Sequence, residues 1–158
     1  MEDKSSFRDA TAELLREAFE GVKDGSKSTW FVERKEAILP SISELSAKQA
    51  SQRGPDGLAS IGAHTRHIAF ILHWGNACHG DVPPTGSWED TWNQNEFTDQ
   101  EWNDLRLEID SRYRAYLNWF SQNSDWSHEV GVIAPIALLP HVAFHLGAIR
   151  QLIKISGE

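Results

Sequence analysis

The segment from Thr98 to Phe120 constrains the fold of this chain most strongly, because it combines a helix start signal with a long helical stripe. Thr98 and Glu101 form a capping box, in which each side chain can accept a hydrogen bond from the other residue's backbone amide. Large apolar residues then recur at the spacing of one helix face: Trp102, Leu105, Ile109, Tyr113, Tyr116 and Phe120. The segment therefore predicts a long amphipathic helix with one buried face.

Two more stretches predict long helices before that segment. Apolar residues that repeat about every four positions predict a helix over residues 7–22, with Ser6 as its cap. A second long helix is predicted over residues 58–77, starting near Ser60 and ended by the Gly and Pro residues that follow. Between them, residues 33–50 predict a shorter helical stretch that is broken near Pro40.

A last helix is predicted to end near Ser156, but its start stays open between two positions. Pro135 suits a first helical turn, in which case Pro140 would bend the helix. Alternatively, the helix begins close to Pro140. The pattern of four long amphipathic segments without alternating strands predicts one all-α domain over residues 1–158, in which the long link at residues 24–57 allows a crossover connection.

Charge and cysteine content narrow the function classes. The formal net charge of −8 argues against a nucleic-acid-binding face and against an anionic membrane surface as partner. Cys78 is the only cysteine, so an internal disulfide is excluded and a reducing compartment fits. The first residues lack the pattern of a signal peptide, and no apolar stretch approaches the roughly 20 residues that span a bilayer. These features predict a cytoplasmic protein.

Two histidines lie four residues apart in the last predicted helix, so they project from the same helix face. His141 and His145 belong to a series that steps by three or four residues and predicts a buried seam: Leu138, His141, His145, Ala148, Leu152 and Ile155. Burying imidazole in a core is costly unless its nitrogens find partners. The partner is either a divalent metal or a hydrogen-bonded network.

The helix predicted over residues 58–77 offers a second pair, His64 and His67, both of which can face the core. His73 cannot share the face of His67, because six residues of helix turn it well away. His79 and His128 fall at loop edges, where solvation is the simplest interpretation. Two imidazoles from one helix and one from another make a suitable ligand set for Zn²⁺ or Ni²⁺.

A metal at such a site could supply a nucleophile at neutral pH. It can lower the pKa of bound water to near ~7, and it deprotonates a bound thiol. The zinc-protease signature H-E-x-x-H is absent, and the last helix contains no Asp or Glu before Glu158. With no adjacent general base, the sequence disfavours a hydrolase more than it disfavours metal binding.

Two segments resemble motifs of the DinB-like superfamily. Residues 60–69, SIGAHTRHIA, with Trp74 after them, resemble the second-helix motif of that family. Residues 141–151, HVAFHLGAIRQ, closely resemble its last-helix motif, and the order and separation of the two motifs match as well. These motifs cover about a fifth of the chain, and the predicted helix layout agrees over nearly all of it.

The resemblance implies a four-helix bundle with up-down-down-up topology, often dimeric, that carries a three-histidine metal site. Its ligands would be His67, His141 and His145, with His64 a neighbour. Members with known activity include metal-dependent transferases that join low-molecular-weight thiols to small electrophiles, or isomerise with a thiol cofactor. Others have no assigned activity or no metal. Arg150 belongs to the motif without an assigned role.

Two alternatives remain beside a metal-dependent thiol transferase acting on a small molecule. One is a non-catalytic dimeric bundle or small-ligand binder whose histidines are hydrogen-bonded to each other. The other is a metal-dependent hydrolase. Neither a catalytic residue nor the natural substrate can be read from the sequence.

Other residues have simpler interpretations. Trp74 and Trp102 are core candidates, whereas Trp88 and Trp92 lie in a loop that could cover a pocket. Cys78 has no neighbour in sequence that would clearly activate its thiol, so it is interpreted as unreactive. Glu89 and Asp90 fit a solvated loop better than a pocket. Arg150 either favours the helix dipole or binds an anion.

Overall fold

The structure is a computed structural model that describes residues 4–22, 29–33, 36–122 and 129–156. These residues form an all-α chain with no strand among them, apart from one isolated antiparallel bridge between Arg53 and Ser60. The α-helices are α1 (Lys4–Glu20), α2 (Ile38–Ser43), α3 (Ala47–Ala50), α4 (Ile61–Ala77), α5 (Asp99–Gln122) and α6 (Glu129–Ser156). Short 3-10 helices lie at Pro55–Gly57 and Glu89–Trp92. The prediction of an all-α fold is confirmed.

The four long helices pack around one shared core. Helix α4 packs against α5 and α6, and α1 packs against the same two helices. The predicted long link between α1 and α4 contains the two short helices, and α2 packs on α1 and α5. Large side chains from every long helix meet in the core, including Phe19, Ile68, Tyr113 and Ile149.

Helix α5 forms as its stripe predicts. All six apolar residues of the stripe are buried: Trp102, Leu105, Ile109, Tyr113, Tyr116 and Phe120. The predicted capping box is confirmed, since the Glu101 amide donates to Thr98 Oγ1 at 3.2 Å and the Thr98 amide donates to Glu101 Oε2 at 2.8 Å. Trp102 also satisfies its indole N–H, which donates to the carbonyl of Leu45 at 2.8 Å.

Helix α4 is fixed at its start and along its length. Ser60 caps it, as predicted, and its hydroxyl accepts from the Ala63 amide at 3.2 Å. Two glycines let aromatic rings approach its backbone. A Cβ atom on Gly75 would lie 2.7 Å from Cε2 of Tyr116, and one on Gly62 would overlap the ring of Phe97. Both positions therefore need glycine for this packing.

Helix α6 begins earlier than either position considered from the sequence. It starts at Glu129 and continues through both Pro135 and Pro140. The predicted seam is partly right: Leu138, His145 and Leu152 are buried, but Ile155 is 46% exposed. The buried face is centred nearer to Val142, Leu146 and Ile149. His141 consequently lies at the edge of that face and is only half-buried.

The first half of the chain differs from prediction in two places. Helix α1 begins at Lys4, so Ser6 lies within it and does not precede it as a cap. The predicted break near Pro40 is wrong, because Pro40 is in the first turn of α2, where a missing amide costs little. The break falls after Ser43, and Ser46 starts α3 with its own capping box to Gln49.

A buried carboxylate ties the segment after α1 to that helix. Glu17 is 5% exposed and accepts hydrogen bonds from the backbone amides of Trp30, Phe31 and Val32. Burial alone would raise the pKa of this carboxyl, but the three amide hydrogen bonds outweigh that effect and lower it. Glu17 thus stays charged and anchors the segment that leads to α2.

One helix segment, Val132–Ser156, is long and apolar enough to cross a membrane by length and composition alone, whereas the sequence predicted no apolar stretch of that length. The core helix of a soluble protein meets the same criterion. Here His145, Leu146 and Ile149 of this segment are buried in the packed interior. The segment therefore does not identify a membrane protein.

We expect Gly75→Ala to destabilise the protein by about 1 kcal/mol. The added methyl group would overlap Tyr116, and overpacking costs about 1–3 kcal/mol, against about 1 kcal/mol gained in helix propensity. Gly147→Ala in α6 is the matched control, because no atom lies within 4 Å of its new Cβ atom, and it should stabilise by up to about 1 kcal/mol. Urea unfolding measures both changes, and equal signs would contradict the close packing of α4 on α5.

Candidate metal centre

Three histidine rings from two helices converge in the core, as predicted. Helix α4 supplies His67, and α6 supplies His141 and His145. One ring nitrogen from each lies within 4.8 Å of the others, which is close enough to hold a metal ion. The Nε2 atoms of His141 and His145 are 3.1 Å apart. Tetrahedral zinc with bonds near 2.0–2.1 Å would place two ligand nitrogens about 3.3 Å apart, so this pair is already near ligand spacing.

The surroundings of the three rings keep them neutral. His67 and His145 are 1% and 3% exposed. Burial, followed by the charges of His141 and His64, lowers the pKa of His67 to about 4. Burial and the other three histidines lower the pKa of His145 to about 3, and burial also lowers that of His141. At neutral pH each ring therefore offers a lone pair, which a metal ligand requires.

A threonine sets the tautomer of His67. Thr91, in the 3-10 helix Glu89–Trp92, donates its hydroxyl proton to the carbonyl of Trp88 at 2.7 Å. Its oxygen lies 2.7 Å from Nδ1 of His67 and is left to accept from that nitrogen. The proton of His67 then sits on Nδ1, and Nε2 keeps the lone pair. The loop between α4 and α5, which carries Thr91, thus leaves the lone pair on Nε2 of His67 available to a cation.

His64 plays the corresponding part for His145. The two Nδ1 atoms lie 2.9 Å apart, so one of them must donate to the other. When Nε2 of His145 faces a cation, its proton is on Nδ1 and His64 accepts it. His64 is outside the group of three possible ligands, in agreement with the neighbour role that the resemblance implies.

Two tryptophans of the loop cover the rings. Trp92 stacks on His67 with ring centroids 4.4 Å apart, and Trp88 meets the same ring edge-on at 4.5 Å. Trp88 also contacts His141. Of these two tryptophans, which were predicted to be able to cover a pocket, Trp88 lines an apolar cavity and Trp92 packs on His67. Trp102 is buried as predicted, but Trp74 is 46% exposed and not a core residue.

The other charged candidates have partners away from the three rings. Arg150 forms an ion pair with Glu36, so the anion it binds is a carboxylate of this chain. Asp90 is exposed and accepts from the backbone amide of Ser87, and Glu89 is exposed as well. Among the described residues, the group of potential metal ligands contains no carboxylate.

The remaining histidines and Cys78 also lie outside the ligand group. Nε2 of His73 donates to the carbonyl of Val82 at 2.8 Å, so this ring is turned away from His67. His79 is exposed, yet it stacks on Trp119 and is not simply solvated. Cys78 is a free, exposed thiol. His128 lies outside the described residues.

Thr91 is the residue that sequence reasoning did not identify. A single threonine in a polar loop carries no periodic signal, and its contact with His67 depends on how the loop folds over α4. The nearest hint is its position between Trp88 and Trp92, which frame it in the sequence. The hydrogen bond from His145 to His64 likewise depends on the register between α4 and α6.

Comparison of the chain with protein-family models, with curated proteins and with solved structures gave no match. The interpretation of the site therefore rests on its residues and their geometry.

We expect Thr91→Val to lower the affinity for Zn²⁺ by about 10- to 100-fold, because Nδ1 of His67 loses the oxygen that fixes its proton. Competition with a chromophoric chelator measures this affinity. Thr91→Ser, which keeps the hydroxyl, is the matched control and should bind within about threefold of the native protein. Equal affinity in both variants would show that Thr91 has no part in orienting His67.

The metal-free protein should lose stability as the pH falls. His67 and His145 titrate near 6.5 in the unfolded chain but at about 4 and about 3 when folded, so the unfolded chain binds more protons between these values. Stability is full above about pH 6.5 and declines below it by up to about 1.4 kcal/mol per pH unit for each ring. Urea unfolding from pH 7 to pH 4 measures the slope. If the free energy of unfolding falls with pH equally steeply in the native protein and in the double variant His67→Gln, His145→Gln, the two histidines are not the source of this pH dependence.

Proposed function

We propose that this chain is a DinB-like metalloprotein that binds a divalent cation through His67, His141 and His145 and activates a low-molecular-weight thiol for transfer to a small electrophile. The observation that supports the proposal most directly is the convergence of three neutral imidazoles, two of which, His67 and His145, have partners for their outer nitrogens. A cation there would lower the pKa of a bound thiol or water, which creates the nucleophile at neutral pH.

The charge balance of the site supports an anionic guest. All three candidate ligands are neutral, and no carboxylate belongs to the described ligand group, so the charge of a divalent cation would not be offset by the protein. A thiolate or hydroxide is therefore favoured in the remaining coordination position. Nitrogen ligands of this kind suit Zn²⁺ and also Ni²⁺. Trp88 and Trp92 would shield the ring of His67 from water.

The arrangement of the long helices agrees with the family resemblance. We propose a four-helix bundle of up-down-down-up topology, supported by the packing of α4 and of α1 against α5 and α6. We also propose a cytoplasmic homodimer, for which exposed apolar side chains on α6, such as Phe144 and Ile155, offer a contact surface. Sedimentation of the purified protein would measure the oligomeric state.

One observation favours the non-catalytic alternative. Both nitrogens of His145 already have imidazole partners, His64 at 2.9 Å and His141 at 3.1 Å. Such a network satisfies the buried ring without a cation, as a scaffold or small-ligand binder would require. A hydrolase is the weaker alternative, because the group of possible ligands among the described residues contains no carboxylate that could serve as general base.

Metal analysis of the purified protein separates the first two functions. We expect close to one equivalent of a first-row metal, either as isolated or after reconstitution with Zn²⁺ or Ni²⁺. His145→Ala should lose it, because the three-nitrogen set is broken. His73→Ala is the matched control, since His73 lies on α4 but bonds to Val82 outside the cluster. No metal in the reconstituted native protein would reject the metalloprotein and leave the histidine network.

Thiol activation is tested with the Co²⁺-loaded protein. Adding a small thiol should produce a thiolate-to-cobalt absorption band, and the same thiol should react faster with 1-chloro-2,4-dinitrobenzene in the presence of the loaded protein. Both effects should vanish in His145→Ala. If thiols leave the spectrum unchanged while ester hydrolysis depends on the metal, the hydrolase alternative replaces the transferase.

A further inference from the structure

An apolar recess of about 290 Å³ opens beside the three histidines. Helix α4 contributes one wall and α6 the other, while Tyr116 of α5 and Trp88 of the loop close it between them. Most of its lining is apolar or aromatic: Ile71, Trp74, Trp88, Tyr116, Ala137 and Leu138. A concave apolar surface with few polar groups is the usual form of a small-molecule site.

The recess leads to the candidate metal centre through His141. This histidine lines the recess, and its Nε2 atom lies 3.1 Å from that of His145. His67 and His145 are buried, so His141 is the ring of the three that meets the outside. Trp88 joins the two regions, because it lines the recess and also packs against His67 and His141. The recess therefore gives a molecule a route to the centre along His141.

The shape and size of the recess suit a flat ring. An apolar cavity of about 150 Å³ is enough to hold benzene, so this recess can take one ring and a substituent. Two tryptophan side chains, Trp74 and Trp88, are each 46% exposed, and both line this recess. Exposed aromatic faces of this kind stack favourably on an aromatic guest.

A second cavity, of about 270 Å³, contrasts with the recess. Its lining includes two arginines and two acidic residues, and none of the three candidate ligands belongs to it. Its guanidinium groups have partners, since Arg66 donates to Gln94 and Arg112 pairs with Glu108. Of these two cavities, the apolar recess is the one lined by a candidate ligand, His141, and we assign the substrate of the histidine centre to it.

We infer that the recess binds an aromatic group of the electrophilic substrate and places its electrophilic carbon beside His141. The thiol loses its proton to solvent, its sulfur forms the new C–S bond, and the leaving group, such as chloride, departs with the electron pair of the broken bond. The inference rests on the proposed function, because it assigns a substrate class to that same centre. Thiol transfer would then be selective for electrophiles that carry a flat apolar ring over aliphatic electrophiles of similar reactivity.

Three probes test the recess and the metal centre separately. Toluene, followed by saturation-transfer NMR on the metal-free protein, reports on the recess alone, and we expect saturable binding with a Kd of about 1 mM or tighter. Imidazole, followed in the visible spectrum of the Co²⁺-loaded protein, reports on the metal centre alone. The probe 4-phenylimidazole combines both groups and should bind at least about tenfold more tightly than imidazole.

Two variants and a control locate the effect. Ala137→Trp should fill the recess, and Trp74→Ala should remove one of its walls. Each variant should abolish most of the preference for 4-phenylimidazole over imidazole. Ala137→Trp should also weaken the binding of toluene. Ile136→Trp adds the same side chain one residue away, at an exposed position that does not line the recess. It should change neither the preference for 4-phenylimidazole nor the affinity for toluene.

The outcomes separate the two proposals. If toluene shows no saturable binding, or if Ala137→Trp leaves toluene binding unchanged, the recess is not an aromatic-binding site and the inference is wrong. Equal binding of imidazole and 4-phenylimidazole to the native protein would overturn its connection to the metal centre. If the protein takes up no Co²⁺ while toluene binds and Ala137→Trp weakens that binding, the metal centre is rejected and the apolar site stands.

Discussion

The arrangement of the three histidines depends on one constraint, which is the free-energy cost of removing imidazole nitrogens from water. His67 and His145 are almost fully buried, and each ring carries one donor and one acceptor that must be satisfied. Thr91 and His64 satisfy the outer nitrogens, which leaves the inner nitrogens of the rings facing one another. The lone pairs of His67 and His145 therefore face the space shared with His141, because Thr91 and His64 already bind the other nitrogens of those two rings.

This arrangement requires α4 and the loop above it to hold fixed positions. The Ser60 amide donates to Oδ1 of Asn95 at 2.8 Å, and the Phe97 amide donates to the hydroxyl of Ser51 at 2.8 Å. These bonds hold the loop that carries Thr91 to the start of α4 and the end of α3. The ring of Phe97 then packs on the bare backbone of Gly62. The position of a threonine beside His67 thus follows from contacts made several residues away.

Local patterns in the sequence correctly predicted the features that depend only on the spacing of residues along one helix. The stripe of α5, the Ser60 cap and the shared face of His141 and His145 need only the geometry of one helix. The start of α6 was missed because the helix continues through Pro135 and Pro140, against the local preference of proline. The prediction that Trp74 is a core residue was wrong, because its burial depends on how α4 packs against α5 and not on the spacing of residues within α4. Thr91 depends on a folded loop, and the DinB-like resemblance stays a prediction.

The positions of the three ligand histidines in the chain carry a consequence for folding. His67 lies in the first half of the sequence, whereas His141 and His145 lie near the end described by the structure. Any ion held by all three closes a long loop of polypeptide, and closing long loops removes much of the freedom of the unfolded chain. Such an ion would act as a removable cross-link between distant parts of the sequence, so that resistance to unfolding would vary with the supply of metal in the cell.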